Sequence, residues 1–158
     1  MKYPEVGQEG EYKVIKYKDM TMTVKYKPKP APDGSETSLE ALHPIFQPKA
    51  KLLVNELKKK FAQLEYRVQV NCTFRSKEEQ EKLLKTSKYA SKVSPHCFGL
   101  AIDLSVVNKQ GKAVTSQPEV QKILEETAEK LGIYWGGWFS SVKEPWHFQI
   151  ALKWQNLV

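Results

Sequence analysis

One apolar segment, Leu100 to Val107, most constrains the fold because it carries a carboxylate near its centre. The segment reads Leu-Ala-Ile-Asp-Leu-Ser-Val-Val, which is typical of a strand buried in a sheet. An ionised carboxylate such as that of Asp103 is costly to bury unless it is paired or binds a metal ion. The segment therefore predicts a buried strand that contributes one charged side chain to a functional site.

Helical and strand patterns alternate along the chain on both sides of this segment. Helices are predicted from Pro48, from Ser76 as an N-cap with Glu79 as its capping-box partner, and from Pro118 to a stop at Gly132. Strands are predicted over 68–72, 100–107 and 146–152, with loops over 86–98 and at 136–137. Because the strands alternate with helices but are also joined by short turns, we expect a single α+β domain with a mainly antiparallel sheet packed with helices.

The N-terminal part of the chain has a different pattern. Residues 11–27 alternate apolar and polar side chains, which predicts a hairpin with a turn at Lys18-Asp19. Residues 28–35 are rich in proline and polar residues, as in a stiff linker. We therefore divide the chain into 1–35, a hairpin and linker, and 36–158, the main domain.

The charge and composition limit the classes of partner. The 158 residues carry a formal net charge of +7, which favours polyanionic partners such as nucleic acid, anionic lipid or an acidic wall polymer. No nucleic-acid recognition motif accompanies that charge, so we predict no nucleic-acid partner. No apolar run approaches the about 20 residues of a membrane span, and the N-terminus has no apolar h-region, so we expect neither stable membrane insertion nor a secretory signal. Cys72 and Cys97 form no disulfide framework and are predicted to be buried thiols.

Two of the three histidines can join Asp103. His96 lies seven residues before Asp103 at the mouth of the same strand, and His147 enters the last strand. Two imidazoles and one carboxylate, with a fourth position open to water, are the ligands of a catalytic zinc site. Structural zinc sites are usually closed by thiolates, for which this chain has too few cysteines. The sequence therefore predicts a Zn2+ site in a cleft, with His96, Asp103 and His147 as the metal ligands.

Two further side chains complete a candidate catalytic set. Glu144 precedes His147 by three residues, and Pro145 indicates that the strand has not yet begun there, so Glu144 can lie on a bend beside the metal. A carboxylate in that place can take a proton from the attacking water and pass it to a leaving amine. Arg75 lies between a strand and a helix, where its guanidinium can hold a substrate carboxylate or a developing oxyanion.

These residues resemble a known family. The resemblance covers about residues 39–152 and rests on two motifs, Ser94-x-His96-x-x-Gly99-x-Ala101-x-Asp103 and Glu144-x-x-His147. Both are similar to motifs of the LAS-type zinc peptidases of bacterial cell walls. The resemblance implies that His96, Asp103 and His147 bind zinc, that Glu144 is the acid/base and that Arg75 binds substrate or transition-state charge. The resemblance also implies that residues 36–158 form the zinc peptidase domain. Residues 1–35 have no counterpart in the family.

The family contains more than one activity. Leu42-His43-Pro44 and Trp135-Gly136-Gly137 resemble the L-alanyl-D-glutamate endopeptidases, whereas Glu144-Pro145-Trp146-His147 resembles the D-alanyl-D-alanine carboxypeptidases. We expect cleavage of the L-alanyl-D-glutamate bond in peptidoglycan stem peptides by a monomeric, phage endolysin-like enzyme. Such an enzyme stays in the host cytoplasm until it is released to the wall. The alternatives are a D-alanyl-D-alanine carboxypeptidase and, from another class, a non-catalytic wall-binding module of a phage structural protein.

Other polar and aromatic residues are given structural roles. His43 precedes Pro44 near a helix start and has no acidic partner in the sequence, so we predict a structural histidine. Gln80 is expected on the helix surface or behind the site. Trp135, Trp138 and Trp146 are expected either to stack on sugar rings or to pack in the core or cleft wall.

Overall fold

The computed structural model describes residues 10–15, 21–26, 38–43, 46–75, 77–86, 94–140 and 142–150. Within these residues the helices and strands, in chain order, are β1 Gly10–Ile15, β2 Thr21–Tyr26, α1 Gln47–Ala62, β3 Arg67–Cys72, α2 Lys77–Thr86, β4 Ala101–Val107, α3 Pro118–Leu131, β5 Ile133–Trp135 and β6 His147–Ile150. Short 3-10 turns lie at Leu39–Ala41, Pro95–Phe98 and Gly136–Trp138.

A four-stranded sheet with the order β3-β4-β6-β5 forms the centre of the domain. Each neighbouring pair of these strands is antiparallel. The predicted α+β class with an antiparallel sheet is therefore confirmed. The predicted strand around Asp103 is β4, which is held by hydrogen-bonded neighbours on both sides.

Helices α1 and α3 cover the sheet with their apolar faces. Apolar side chains recur every three or four residues in α1, and the buried ones are Ala50, Leu53, Val54, Leu57 and Phe61. They pack in one core with buried residues of β4, α3 and β6, including Ile102, Leu104, Leu124 and Phe148. The sequence period of α1 thus decides which of its faces meets the sheet.

Helix α3 begins and ends where its sequence markers predict. Pro118 occupies the first turn, where a missing backbone N–H costs no hydrogen bond. Gly132 follows the helix with a φ of 67°, a left-handed conformation that favours glycine, and its N–H bonds to Ala128 O and Glu129 O. The chain then reverses directly into β5.

The structure adds to the prediction at a few places. The three residues of β5 were not predicted as a strand, and Gly136-Gly137, predicted as a loop, begin a 3-10 turn. Strand β6 begins at His147, and the predicted residues 151–152 lie outside the described residues, as do Ser76 and the linker 28–35. Helix α1 begins at Gln47, one residue before Pro48.

The N-terminal strands pair as the alternating pattern predicts. β1 and β2 are antiparallel, with Gly10 opposite Tyr26 and Ile15 opposite Thr21. The predicted turn at Lys18-Asp19 lies outside the described residues. The division of the chain at residue 35 stays a prediction.

Membrane-spanning helices were also sought among the described residues. None of the helices found there has the length and apolar character needed to cross a bilayer.

Candidate metal centre and active site

Strand pairing brings Asp103 and His147 together. In β4, Asp103 lies opposite His147, the first residue of β6, and on its other side opposite Cys72 of β3. The register between β3 and β4 shifts between Val70 and Cys72, which places the cysteine level with Asp103. The sheet therefore fixes one carboxylate, one imidazole and one thiol at the same level.

A short 3-10 turn places His96 over this level. Ser94 caps the turn, with its hydroxyl accepting from His96 N–H, and Gly99 ends it at a φ of 68°. Two backbone hydrogen bonds anchor the turn, from Arg75 N–H to His96 O at 3.1 Å and from His43 N–H to Gly99 O at 2.9 Å. His96 is 2% exposed, so its position is set by packing as well as by the turn.

The three predicted ligands converge on one oxygen atom. Asp103 Oδ1 lies 3.1 Å from His96 Nε2 and 3.0 Å from His147 Nδ1. The two imidazole rings meet edge to face, with centroids 5.2 Å apart. His96, Asp103 and His147 come from three separate segments of the chain, and the structure brings both histidines into contact with the carboxylate of Asp103; their role as metal ligands stays a prediction.

The outer nitrogen of each imidazole has an acceptor partner. His96 Nδ1 lies 2.9 Å from the backbone oxygen of Thr73, and His147 Nε2 lies 2.8 Å from Gln149 Oε1. A proton on each outer nitrogen leaves the inner nitrogen of each neutral ring with a lone pair. His96 Nε2 is a buried nitrogen whose contact with a polar atom, in the part of the chain that the structure describes, is the 3.1 Å approach to Asp103 Oδ1. Each lone pair then lies near Asp103 Oδ1, an arrangement that a cation stabilises.

The spacing of these atoms suits zinc. Tetrahedral zinc, with bonds of about 2.0 to 2.1 Å to nitrogen and oxygen, separates its donor atoms by about 3.3 Å. The two distances to Asp103 Oδ1 are close to that value. The donor set of two imidazoles and one carboxylate also matches catalytic rather than structural zinc sites. The donor types and the two distances to Asp103 Oδ1 therefore suit zinc, whereas the described residues whose donor atoms all lie within 4.8 Å of one another are Cys72, His96 and Asp103, a group without His147.

Cys72 is a neighbour of the site that the sequence prediction did not include. Donor atoms of Cys72, His96 and Asp103 lie within 4.8 Å of one another, and Cys72 is buried. Its sulfur accepts from Arg75 Nη2 at 3.4 Å. Because strand alternation alone does not reveal the register shift after Val70, the sequence could not place this thiol level with Asp103.

The electrostatics of the cluster favour an ionised Asp103. Burial alone would raise the pKa of Asp103, but the charge of His96 and hydrogen bonds from His147 and His96 hold it well below its usual range. Burial opposes protonation of His147, yet the hydrogen bond and charge of Asp103 raise the pKa of this imidazole above its usual value in the metal-free protein. Asp103 thus supplies a full negative charge to whatever cation the cluster holds.

Glu144 lies beside His147 on the bend before β6. A Cβ built on Gly136 would lie 3.0 Å from His147 Cβ and 3.1 Å from Glu144 Cβ, and only 2.3 Å from the Glu144 backbone oxygen. Glu144 N–H also bonds to Gly136 O at 3.0 Å. The absent side chain at Gly136 is therefore what lets the segment 144–147 approach β5 so closely.

The surroundings of Glu144 suit a group that exchanges protons. Burial raises the pKa of Glu144, and the negative charge of Asp103 adds to the rise, while His147 and Arg75 oppose it. A carboxylate with a raised pKa is a stronger base than an exposed one and a better proton donor after it has been protonated. The predicted bend is present, since β6 begins only at His147.

Arg75 lies on the other side of Asp103. Its Nη2 is 3.8 Å from Asp103 Oδ2, and its Nη1 donates to Gln80 Oε1 at 2.9 Å. Two positions were predicted for Gln80, the helix surface or behind the site. Gln80 is 2% exposed, so it lies behind the site. The Arg75 side chain is 13% exposed, so it is largely buried beside Asp103.

Asp103 lines a cleft of about 720 Å³. Trp146 and residues 113–118, which lead into α3, also line it. Asn71 and Ser105 line it as well, and Asn71 Nδ2 donates to Ser105 Oγ at 2.6 Å. Of the predicted site residues, Asp103 is the one that lines this cleft, whose volume is large enough for several residues of a peptide.

Of the three tryptophans near the site, two pack in the protein interior and one lines the cleft, and His43 is buried. Trp135 is buried and its Nε1 donates to Pro145 O at 2.8 Å, which fixes the bend that carries Glu144. Trp138 packs against the core and donates to Glu125, whereas Trp146 lines the cleft. His43 is buried, and burial lowers its pKa to about 4, so it is neutral at pH 7.

The sequence analysis did not identify Gln149 as a neighbour of His147, although the spacing of the two residues indicates it. It follows His147 by two residues, and alternate residues of a strand face the same side, so the two side chains were bound to be neighbours.

Comparison with known proteins agrees with this geometry. A family model described as D-alanyl-D-alanine carboxypeptidase matches residues 88–150, which include His96, Asp103, Glu144 and His147. No curated protein sequence is significantly similar to the chain.

Several solved structures share the fold. The L-Ala D-Glu endopeptidase ChiX of Serratia marcescens has 20% sequence identity and a TM-score of 0.53, over 77% of this chain and 88% of ChiX. A variant of the vancomycin resistance D,D-pentapeptidase VanY from a VanB-type cassette, in complex with Zn(II), has 15% identity and a TM-score of 0.54, over 80% of this chain and 79% of VanY. The LD-carboxypeptidase LdcB has 18% identity and a TM-score of 0.51, over 80% of this chain and 67% of LdcB. The family model matches the segment that carries both motifs, and these solved structures share the fold of the chain, so both comparisons agree with the resemblance to the LAS-type zinc peptidases.

Proposed function

We propose that the protein hydrolyses an amide bond in the peptide stem of peptidoglycan, with L-alanyl-D-glutamate as the preferred bond. The observation that carries the proposal is the convergence of His96 Nε2 and His147 Nδ1 on Asp103 Oδ1 at 3.0 to 3.1 Å, where Asp103 also lines an open cleft. A site that only binds a wall polymer needs no such cluster.

We assign each residue a role from its place in the cluster. His96, Asp103 and His147 hold the metal, which when bound supplies a Lewis acid that polarises the scissile carbonyl. The Glu144 carboxylate accepts a proton from the attacking water and then delivers it to the leaving nitrogen. The Arg75 guanidinium, oriented by Gln80, holds negative charge on the substrate or on the developing oxyanion.

Two observations support the choice of bond. The Trp135-Gly136-Gly137 segment, which resembles the endopeptidase branch, is the segment that packs beneath Glu144. The likeness to ChiX extends over 88% of that endopeptidase. The alternative, release of the terminal D-alanine by a carboxypeptidase, is supported by the description of the matching family model and by Glu144-Pro145-Trp146-His147.

A defined substrate separates the two activities. The zinc-loaded protein is incubated with a disaccharide pentapeptide, and the products are identified by mass spectrometry. We expect a disaccharide that retains only L-alanine, together with a peptide that begins with D-glutamate, and no products after removal of zinc with a chelator. Free D-alanine as the sole product would assign the protein to the carboxypeptidase branch, and an unchanged substrate would contradict both activities.

The endolysin-like role is a further part of the proposal. It predicts that protein made in the cytoplasm of a susceptible host leaves the cells intact until the inner membrane is permeabilised, after which the cells lyse. The net charge of +7 supports it, because a basic surface is attracted to an anionic wall.

A further inference from the structure

Gln149 lies directly behind one of the proposed metal ligands. It is the third residue of β6 and follows His147 by two positions, so both side chains are on one face of the strand, while Phe148 points into the core. Both residues are buried, Gln149 at 7% and His147 at 5% exposure. Gln149 Oε1 lies 2.8 Å from His147 Nε2.

The sheet holds this pair rigidly. β6 is an inner strand, and Gln149 lies opposite Ala101 of β4 and Tyr134 of β5. Hydrogen-bonded neighbours on both sides fix the backbone of β6, so the amide oxygen of Gln149 has little freedom to leave the ring nitrogen. The geometry therefore belongs to the fold and not to a mobile loop.

The hydrogen bond determines which nitrogen of His147 can bind a metal. A neutral imidazole carries one proton, and the nitrogen without it holds the lone pair. Because Gln149 Oε1 accepts a hydrogen bond from Nε2–H, the lone pair is left on Nδ1, the nitrogen 3.0 Å from Asp103 Oδ1. Without that acceptor, the proton can move to Nδ1 and bond to Asp103, which would block the metal.

The other imidazole is set by the main chain. His96 Nδ1 faces the backbone oxygen of Thr73 at 2.9 Å, an acceptor that no side-chain substitution removes. The tautomer of His147 depends on one side chain instead. This difference makes the contribution of Gln149 measurable by mutation.

We propose that Gln149 is a positioning residue that fixes the tautomer and ring orientation in which His147 binds zinc. The inference rests on the proposed role of His147 as a ligand, and it concerns zinc affinity independently of which bond the enzyme cuts. Residues that orient a metal-bound histidine typically contribute about 10–100-fold in metal affinity.

The test compares zinc affinities of the full-length protein by competition with a chelating dye. We expect Gln149→Leu to bind zinc about 10–100-fold more weakly than the native protein. Gln149→Glu keeps an acceptor oxygen and is expected to recover most of the affinity. Gln69→Leu, on an exposed position of β3, is the matched control and is expected to leave the affinity unchanged.

Nitrogen-15 NMR of the histidine rings gives a second readout, which reports the position of the His147 proton directly and does not require zinc. In the native protein, with the ring neutral, we expect the His147 proton on Nε2, and in Gln149→Leu a shift of population towards Nδ1–H. A native ring protonated on Nδ1, or a folded Gln149→Leu with native zinc affinity, would overturn the inference alone. A native protein that binds no zinc would instead overturn the ligand role of His147, and the inference with it.

Discussion

Replacement of Glu144 by glutamine is expected to lower the rate of stem-peptide hydrolysis by about 10²–10⁴-fold, the usual contribution of a positioned general acid/base. Glutamine has almost the same shape as glutamate, so the packing over Gly136 is preserved. It cannot accept the proton of the attacking water, however, and cannot return one to the leaving nitrogen. The rate is measured as product formation from a defined muropeptide at saturating zinc.

The control for this experiment is Glu126→Gln, which removes an exposed carboxylate from α3, away from the cluster. The control is expected to keep the native rate. Both variants are expected to bind zinc and isolated cell walls as the native protein does. A non-catalytic wall-binding module would behave differently, because native and Glu144→Gln proteins would then show equal wall binding and neither would release products. Native turnover in Glu144→Gln would contradict the assigned role.

Replacement of Asp103 by asparagine is expected to weaken zinc binding by at least about 100-fold, since changes to residues that only orient a metal ligand already cost 10–100-fold. The substitution removes the one negative charge shared by both imidazoles. It also removes the charge that raises the pKa of His147, so the variant tests the electrostatic and the coordinating role of the carboxylate together. The affinity is measured by chelator competition and by the rise in melting temperature on addition of zinc.

His43→Gln is a matched control for this experiment, because His43 is a buried histidine outside the proposed set of metal ligands. His43 is as buried as the proposed ligands, but burial keeps it neutral at pH 7 and the sequence gives it a structural role. Zinc is expected to raise the melting temperature of native and His43→Gln proteins alike and to leave that of Asp103→Asn nearly unchanged. An equal rise in all three would show that the metal binds elsewhere.

The features that could be predicted from sequence are those with a large and local physical cost. A carboxylate in a buried strand demands a partner, and Asp103 therefore indicated a site before any partner was known. Helix α3 was bounded by Pro118 and Gly132, residues whose backbone preferences act without tertiary contacts. The apolar period of α1 likewise identified its buried face.

The features that were missed depend on contacts between distant segments. β5 has only three residues, too few to show a period, and its pairing with β6 makes it a strand. Cys72 reaches the level of Asp103 through a register shift that no local pattern marks. Gln149 is uncharged, so burying its side chain costs less free energy than burying a carboxylate, and the sequence does not mark it as a site residue. Its proposed role follows from its hydrogen bond to His147.

The most direct test of the metal centre is an anomalous-scattering map of the zinc-loaded protein, recorded at the zinc edge. The account predicts one zinc ion within about 2.0–2.2 Å of His96 Nε2, an Asp103 carboxylate oxygen and His147 Nδ1, with a fourth position open towards the cleft. A zinc ion bound by Cys72 in place of His147, or a peak away from Asp103, would contradict it.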